Sequence, residues 1–224
     1  MFANREEAGR KLGAKLMRFK DQNPCVLALP RGGVPVGLEI ATMLGAPLDL
    51  IIVRKLGAPW QPELAIGAIV DGEKPQIVLN KSVISQLGVS PAEIEAEKKR
   101  QLVEIERRRK TYLAGRPRVD IQHRTTIIVD DGIATGATVR AAILAIRALG
   151  PKKIVLAVPV APRDTIAALK SEVDEVICLE AYDNFTAISP YYLDFRQIED
   201  EEMHELLSRA PASPSSPAVK PMPT

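Results

Sequence analysis

The strongest constraint on this chain is a repeated alternation of short apolar runs with helical stretches. Cys25–Leu29 is apolar, then Arg31-Gly32-Gly33 turns the chain into a helical segment ending near Leu44. Leu48–Val53 is a second run, and Thr125–Val129 a third, the latter followed by a glycine-containing turn and a helix from Ala137 to Leu149. Ile154–Val160, with a helix over Arg163–Lys170 behind it, and Val173–Leu179 complete the series. Runs apolar on both faces and interleaved with helices are strands of a parallel sheet covered on both sides. The expected fold is therefore α/β: an open parallel sheet with helices on both faces.

Two stretches break the rhythm. Ala65–Val70 and Gln76–Leu79, joined by Asp71-Gly72-Glu73-Lys74, read as a β-hairpin. Ser90-Pro91-Ala92-Glu93 then forms a capping box with proline at the first helical position. The helix it opens reaches about Leu113 and carries twelve charged residues among the eighteen from Glu93 to Lys110. That density predicts a solvated face, the alternative being a basic end, Arg107–Lys110, that reaches over an anionic ligand. Ahead of the first strand, Ala8, Leu12, Leu16 and Phe19 make an amphipathic helix from Glu6.

At 224 residues, with 46% hydrophobic residues, the chain suffices for one core. The expected organisation is one domain over residues 1–209, with a helical insertion at about 81–115 and a C-terminal segment at about 180–202. The last fifteen residues, 210–224, hold five prolines and three serines and read as a disordered tail. A net charge of +2 with no basic stripe argues against a nucleic-acid partner. No apolar segment approaches a membrane span, and the charged start is unlike a signal peptide, so the cytoplasm is the expected location. Cys25 and Cys178 lack metal or redox spacing and read as reduced thiols; His123 and His204 read as surface residues.

The chemistry concentrates in Thr126–Thr138. An apolar strand ends in Asp130 and Asp131, and Gly132 to Gly136 form a small-residue turn into a helix. Small residues leave backbone N–H groups exposed, and the helix start adds positive partial charge. Ala134, Thr135, Gly136, Ala137 and Thr138 thus make a phosphate cradle, with two hydroxyls as further donors. The carboxylates would repel that phosphate, but ribose hydroxyls or a water-bridged Mg²⁺ suit them. A phosphate beside a diol is a ribose 5-phosphate. A Walker A loop would need lysine where Ala137 stands. A haloacid-dehalogenase-type pair would have one residue between its acids.

The Asp-Asp-x-x-Ala-Thr-Gly segment resembles the phosphoribosyl pyrophosphate motif of type I phosphoribosyltransferases, in the form closest to the adenine enzymes. The resemblance implies the fold of that family. It also implies that Asp130 and Asp131 hold the ribose hydroxyls while residues 134–138 wrap the 5-phosphate. Pro30, Arg31, Gly32 and Gly33, after the first strand, resemble the family's pyrophosphate loop. Arg54 and Lys55, ending the second run, stand where the family places a basic pyrophosphate contact. Gly57–Gly67, with Pro59, Trp60 and Pro62, resembles its mobile lid. The order from Arg5 to about Glu202, including KLGAPWQPELAIGAI and Ala187–Phe195, resembles a subgroup of unassigned base specificity.

The implied reaction is Mg²⁺-dependent transfer of the phosphoribosyl group from phosphoribosyl pyrophosphate to a nucleobase-like acceptor; a homodimer is compatible with it. Asp130, Asp131, Arg31, Arg54 and Lys55 are its expected catalytic set, and the acid pair the metal contact. Enzymes for 6-oxopurines carry an acid where this chain has Ala134, which weakens guanine and hypoxanthine as acceptors. Tyr182, Asn184, Phe185 and Tyr191 are the expected base hood, or else anchors of the C-terminal segment. The competing readings are a non-catalytic regulator that binds phosphoribosyl pyrophosphate or a nucleotide, and a hydrolase or dehydratase acting on the same ligand.

Overall fold

The computed structural model describes residues 1–72, 75–113 and 116–211. The tail expected to be disordered lies outside the described residues from 212 on, as do Glu73 and Lys74 of the hairpin turn. The first half of the chain runs α1 (Arg5–Leu16), β1 (Pro24–Ala28), α2 (Gly33–Leu44), β2 (Leu48–Leu50), β3 (Val53–Ala58), β4 (Gln61–Val70), β5 (Gln76–Leu79), α3 (Lys81–Leu87) and α4 (Pro91–Leu113). The second runs β6 (Thr125–Val129), α5 (Ala137–Ala148), β7 (Lys153–Pro162), α6 (Arg163–Leu169), β8 (Glu175–Tyr182) and α7 (Asp200–Ser208).

Five strands form a parallel sheet in the order β2-β1-β6-β7-β8. Alternation within each strand sends side chains to two separate cores. Val26, Ala28, Ile127, Val129, Val155 and Ala157 pack with α1, α2 and α7. Cys25, Leu27, Ile128, Ile154, Leu156 and Val158 pack with α5 and α6 on the other side. Strands β1 and β6 are neighbours, yet α2 leaves β1 on one face and α5 leaves β6 on the opposite face. The chain therefore diverges between their C-terminal ends, which is where open α/β sheets leave a crevice.

The run Leu48–Val53 is not one strand. Its first half pairs with β1, while Val53 begins β3 in a separate antiparallel sheet of order β3-β4-β5. The switch is made at Ile51 and Ile52: the Ile51 amide bonds the Ala28 carbonyl, and the Ile52 amide donates to the Asp71 carboxylate at 2.9 Å. Ile51 and Ile52 are both buried, in different cores, so hydrophobicity gives no mark of the change of sheet. The stretch Gly57–Gly67, which resembles a mobile lid in the sequence, is a tight turn at Pro59-Trp60 between paired strands. Trp60 stands at its tip, 58% exposed.

The capping box opens α4: the Glu93 amide donates to Ser90 Oγ at 3.3 Å, and the Ser90 amide to the Glu93 carboxylate at 2.8 Å. The helix is not solvated all round. Gln101, Ile105, Tyr112 and Leu113 are buried. Its basic end is occupied within the protein, because Arg107 and Arg108 bond Glu104 while Arg109 turns inward to Asp71 at 2.8 Å and Asp49 at 3.5 Å. Cys25 and Cys178 are free thiols that burial pushes up to about 11. No helix among the described residues is long and apolar enough to cross a membrane.

Candidate functional site

The divergence of β1 and β6 brings two sequence-distant turns into contact. A Cβ on Gly33 would lie 2.7 Å from the Val129 carbonyl oxygen, and one on Gly32 2.0 Å from Asp131 Oδ2. Only glycine lets the Pro30–Gly33 turn approach the acid pair this closely. The Pro30–Arg31 peptide is cis.

Asp130 and Asp131 close β6. The Asp131 amide donates to Asp130 Oδ1 at 2.9 Å. Burial, then the neighbouring Asp131 carboxylate, holds Asp130 well above the usual carboxylate range. Burial also raises Asp131, but the Arg5 guanidinium opposes it: Arg5 Nε donates to Asp131 Oδ2 at 2.8 Å, with both side chains 10% exposed. Beyond the pair, the small-residue turn is open. Ala134, Thr135, Ala137 and Thr138 are exposed, and Gly136 (φ 77°) precedes α5 with no side-chain cap. Helix α1, by contrast, is capped by Asn4, whose side chain accepts from the Glu7 amide at 2.9 Å. The first N–H groups of α5 are thus available to an anion. Thr165 closes one side, its hydroxyl donating to the Ala134 carbonyl at 3.4 Å.

Arg31 reaches toward the C-terminal segment. Nη1 donates to the Ile198 carbonyl at 2.7 Å, Nη2 lies 3.2 Å from the Asp200 carboxylate, and Nε is 3.4 Å from the Tyr112 hydroxyl. Arg5, Arg31, Gly32, Asp131 and the segment Phe195–Ile198 enclose a recess of about 440 Å³. Arg54 and Lys55 line a different recess, against α4, where Arg54 Nε donates to Gln101 at 2.9 Å.

The expected hood residues lie together after β8. Tyr182 stacks on Tyr191 at 4.4 Å and Phe185 on Tyr191 at 5.1 Å, with an interplanar angle of 12° for the second pair. These rings meet one another, while Asn184 is exposed. Ile188 descends onto the acid-pair turn, where a Cβ on Gly132 would come within 2.7 Å of it. The Tyr192 hydroxyl donates to the Asp131 carbonyl at 2.6 Å.

Arg5 is a site-lining residue that the motif reading misses. Its trace is in the sequence: it sits one turn before Ala8 on the apolar face of α1, and a cation in the first turn opposes the helix dipole. Helix α7, which carries Asp200, is also missed.

Residues 3–196 match the phosphoribosyl transferase domain family. Two Mycobacterium tuberculosis proteins, MT0597 and Rv0571c, whose names include the words phosphoribosyl transferase, are each 45% identical over 210 residues. That alignment covers 94% of this chain and 47% of each relative, so the chain spans about half the length of the curated relatives it matches. The crystal structure of TT1426 from Thermus thermophilus superposes with a TM-score of 0.80 at 38% identity, covering 92% of this chain and 97% of that one. With a domain match over most of its length and a parallel sheet whose switch point carries the acid pair, this chain belongs to the phosphoribosyl transferase domain family.

Proposed function

We propose that the chain is a cytoplasmic enzyme of nucleotide metabolism that transfers the 5-phosphoribosyl group from phosphoribosyl pyrophosphate to a nitrogenous base. The observation that carries this reading is the contact of the two turns: Gly32 lies against Asp131, and an uncapped helix start follows the same acid pair. A diol acceptor, an anion cradle and a second glycine turn with an arginine match the three polar parts of that ligand. In this reading Asp130 and Asp131 accept from the ribose hydroxyls, and residues 134–138 hold the 5-phosphate. Arg31 and the Gly32 amide face the pyrophosphate, the Gly33 amide being held by the Leu29 carbonyl at 3.0 Å. A ring nitrogen of the base bonds the anomeric carbon as the bond to pyrophosphate breaks, and the electron pair leaves with pyrophosphate. Fixed donors at that end stabilise the charge that develops there.

The acid pair fits Mg²⁺ that arrives with the ligand. It offers two carboxylates, one of them with an oxygen committed to Arg5, and no group of three or more His, Cys, Asp or Glu that could hold a metal occurs among the described residues. Such a set suits an ion held largely by phosphate oxygens and water. When bound, Mg²⁺ would neutralise charge on the departing pyrophosphate. Arg54 and Lys55, on β3, line the separate recess against α4 and would contribute further cations to the pyrophosphate end. Tyr182, Asn184, Phe185 and Tyr191 would form the wall that meets the base.

The test incubates the purified protein with phosphoribosyl pyrophosphate, Mg²⁺ and each common base in turn and measures pyrophosphate release. Base-dependent release, lost in the Asp130→Asn/Asp131→Asn variant, is the expected result. Binding without release for every base would favour the regulatory reading. No binding of phosphoribosyl pyrophosphate to the wild-type protein would refute the site.

A further inference from the structure

Arg5 joins three parts of the chain that are remote in sequence. From the first turn of α1, Nε bonds Asp131 Oδ2 at 2.8 Å and Nη1 bonds the Arg196 carbonyl at 2.9 Å. Its guanidinium carbon lies 3.9 Å from the centre of the Phe195 ring. With both partners 10% exposed, the Arg5–Asp131 pair is among the more buried ion pairs of the described residues. Burying an ion pair costs desolvation that its attraction often only balances, so stability gives little reason to place an arginine here. The helix dipole gives none, since a cation in the first turn is disfavoured. What the position does offer is control of one carboxylate in a wall of the recess shared with Arg31 and Gly32.

We infer that Arg5 is a positioning residue of the phosphoribosyl site: it holds Asp131 in place and ties it to the C-terminal segment at Phe195-Arg196. This rests on the phosphoribosyl reading proposed above. By committing Oδ2, the guanidinium fixes the plane of the carboxylate and decides which oxygen remains to accept from a ribose hydroxyl. By neutralising one of two adjacent carboxylates, it lets both face one diol. The Phe195 ring and the Arg196 carbonyl hold the guanidinium from the other side, so Asp131 is braced by the same segment that lines the recess with Arg31 and Gly32. The Tyr192 hydroxyl, on the Asp131 carbonyl at 2.6 Å, braces the backbone of the same residue.

The test compares wild type, Arg5→Gln and Arg5→Lys by calorimetric titration with two probes, phosphoribosyl pyrophosphate plus Mg²⁺ and inorganic pyrophosphate plus Mg²⁺. Arg5→Gln should weaken phosphoribosyl pyrophosphate about tenfold or more, the factor that goes with a lost charge-assisted hydrogen bond. Inorganic pyrophosphate, which has no diol for Asp131, should stay within about twofold of wild type. Arg5→Lys keeps the charge but loses the planar fork that reaches carboxylate and carbonyl from two separate nitrogens, and should recover part of the loss. A purely structural role would move both probes together and track the melting temperature, and that pattern overturns the inference. So does Arg5→Gln binding phosphoribosyl pyrophosphate as wild type does. If Arg5→Gln does not fold, Arg5→Lys decides: an affinity for phosphoribosyl pyrophosphate equal to wild type overturns the inference, and a selective loss supports it. Failure of the wild-type protein to bind phosphoribosyl pyrophosphate would instead count against the proposed function itself.

Discussion

Asp130 follows a fully buried strand, accepts at Oδ1 from the amide of Asp131 at 2.9 Å, and has a second carboxylate as its next neighbour. Its folded-state value is raised by burial and by Asp131, so the native protein binds this proton more tightly than the unfolded chain does. The stability this contributes is present at acid pH, below the unfolded value, and is lost as pH rises through the folded value. Asp130→Asn cannot ionise and escapes that loss. Thermal melts should therefore show the variant gaining on wild type as pH is raised from 4 to 8, each kcal/mol appearing as roughly 2–4 °C for a chain of this size. The same substitution should weaken phosphoribosyl pyrophosphate strongly in calorimetric titration. Stability gained with binding lost is the mark of a residue kept for its ligand. A variant less stable than wild type at pH 8 would show that Asp130 serves the fold.

The two turns are separate elements, and their substitutions should separate too. Thr138→Val removes a hydroxyl from the start of α5 and should weaken ribose 5-phosphate, while Arg31→Ala should spare it and weaken pyrophosphate, each by about 1–3 kcal/mol. Arg31 is engaged by the carbonyl of Ile198 at 2.7 Å and by Asp200 at 3.2 Å, so pyrophosphate must compete with α7 for it. Asp200→Asn should relax that competition and tighten pyrophosphate about two- to fivefold, as befits a partly exposed pair. In the hood, Phe185→Ala should weaken a nucleotide product and leave phosphoribosyl pyrophosphate near wild type, and loss of fold instead would assign the stack a purely anchoring part. The acid-pair strand and its turn are legible in the sequence because their determinants are local: an apolar run, two acids, small residues and a helix start within thirteen positions. The same holds for the α4 capping box, whose two bonds join residues three apart. Arg5 and Asp200 are not legible in this way, since each acquires its role from a partner more than a hundred residues away. The change of sheet at Ile51-Ile52 is hidden for another reason, two cores on either side of the chain making both residues look like strand interior.

At the scale of the whole molecule, the question is what fixes the antiparallel sheet and α4 to the edge of the parallel sheet. A four-residue charge network stands at that seam. Asp71, at the end of β4, accepts from Arg109 at 2.8 Å, from Arg118 at 2.7 Å and from the Ile52 amide at 2.9 Å. Asp49, in β2, accepts from the Leu50 amide at 2.8 Å and the Val119 amide at 2.9 Å, with Arg109 at 3.5 Å. Two acids from different sheets thus share one arginine from α4, and both acids are buried. Arg109→Met keeps the unbranched stem of the side chain but leaves Asp49 without its guanidinium and Asp71 with one of two. Removing one partner of a buried network costs about 3 kcal/mol or more, because the remaining charge stays desolvated. The variant should melt roughly 6–12 °C below wild type, taking about 2–4 °C per kcal/mol. This seam has no residue in common with the recess around Arg5, Arg31 and Asp131. Below its melting range, Arg109→Met should therefore bind phosphoribosyl pyrophosphate with near wild-type affinity. The opposite pattern, an unchanged melt with affinity lost, would mean that the placement of the antiparallel sheet is part of the binding site rather than part of its frame.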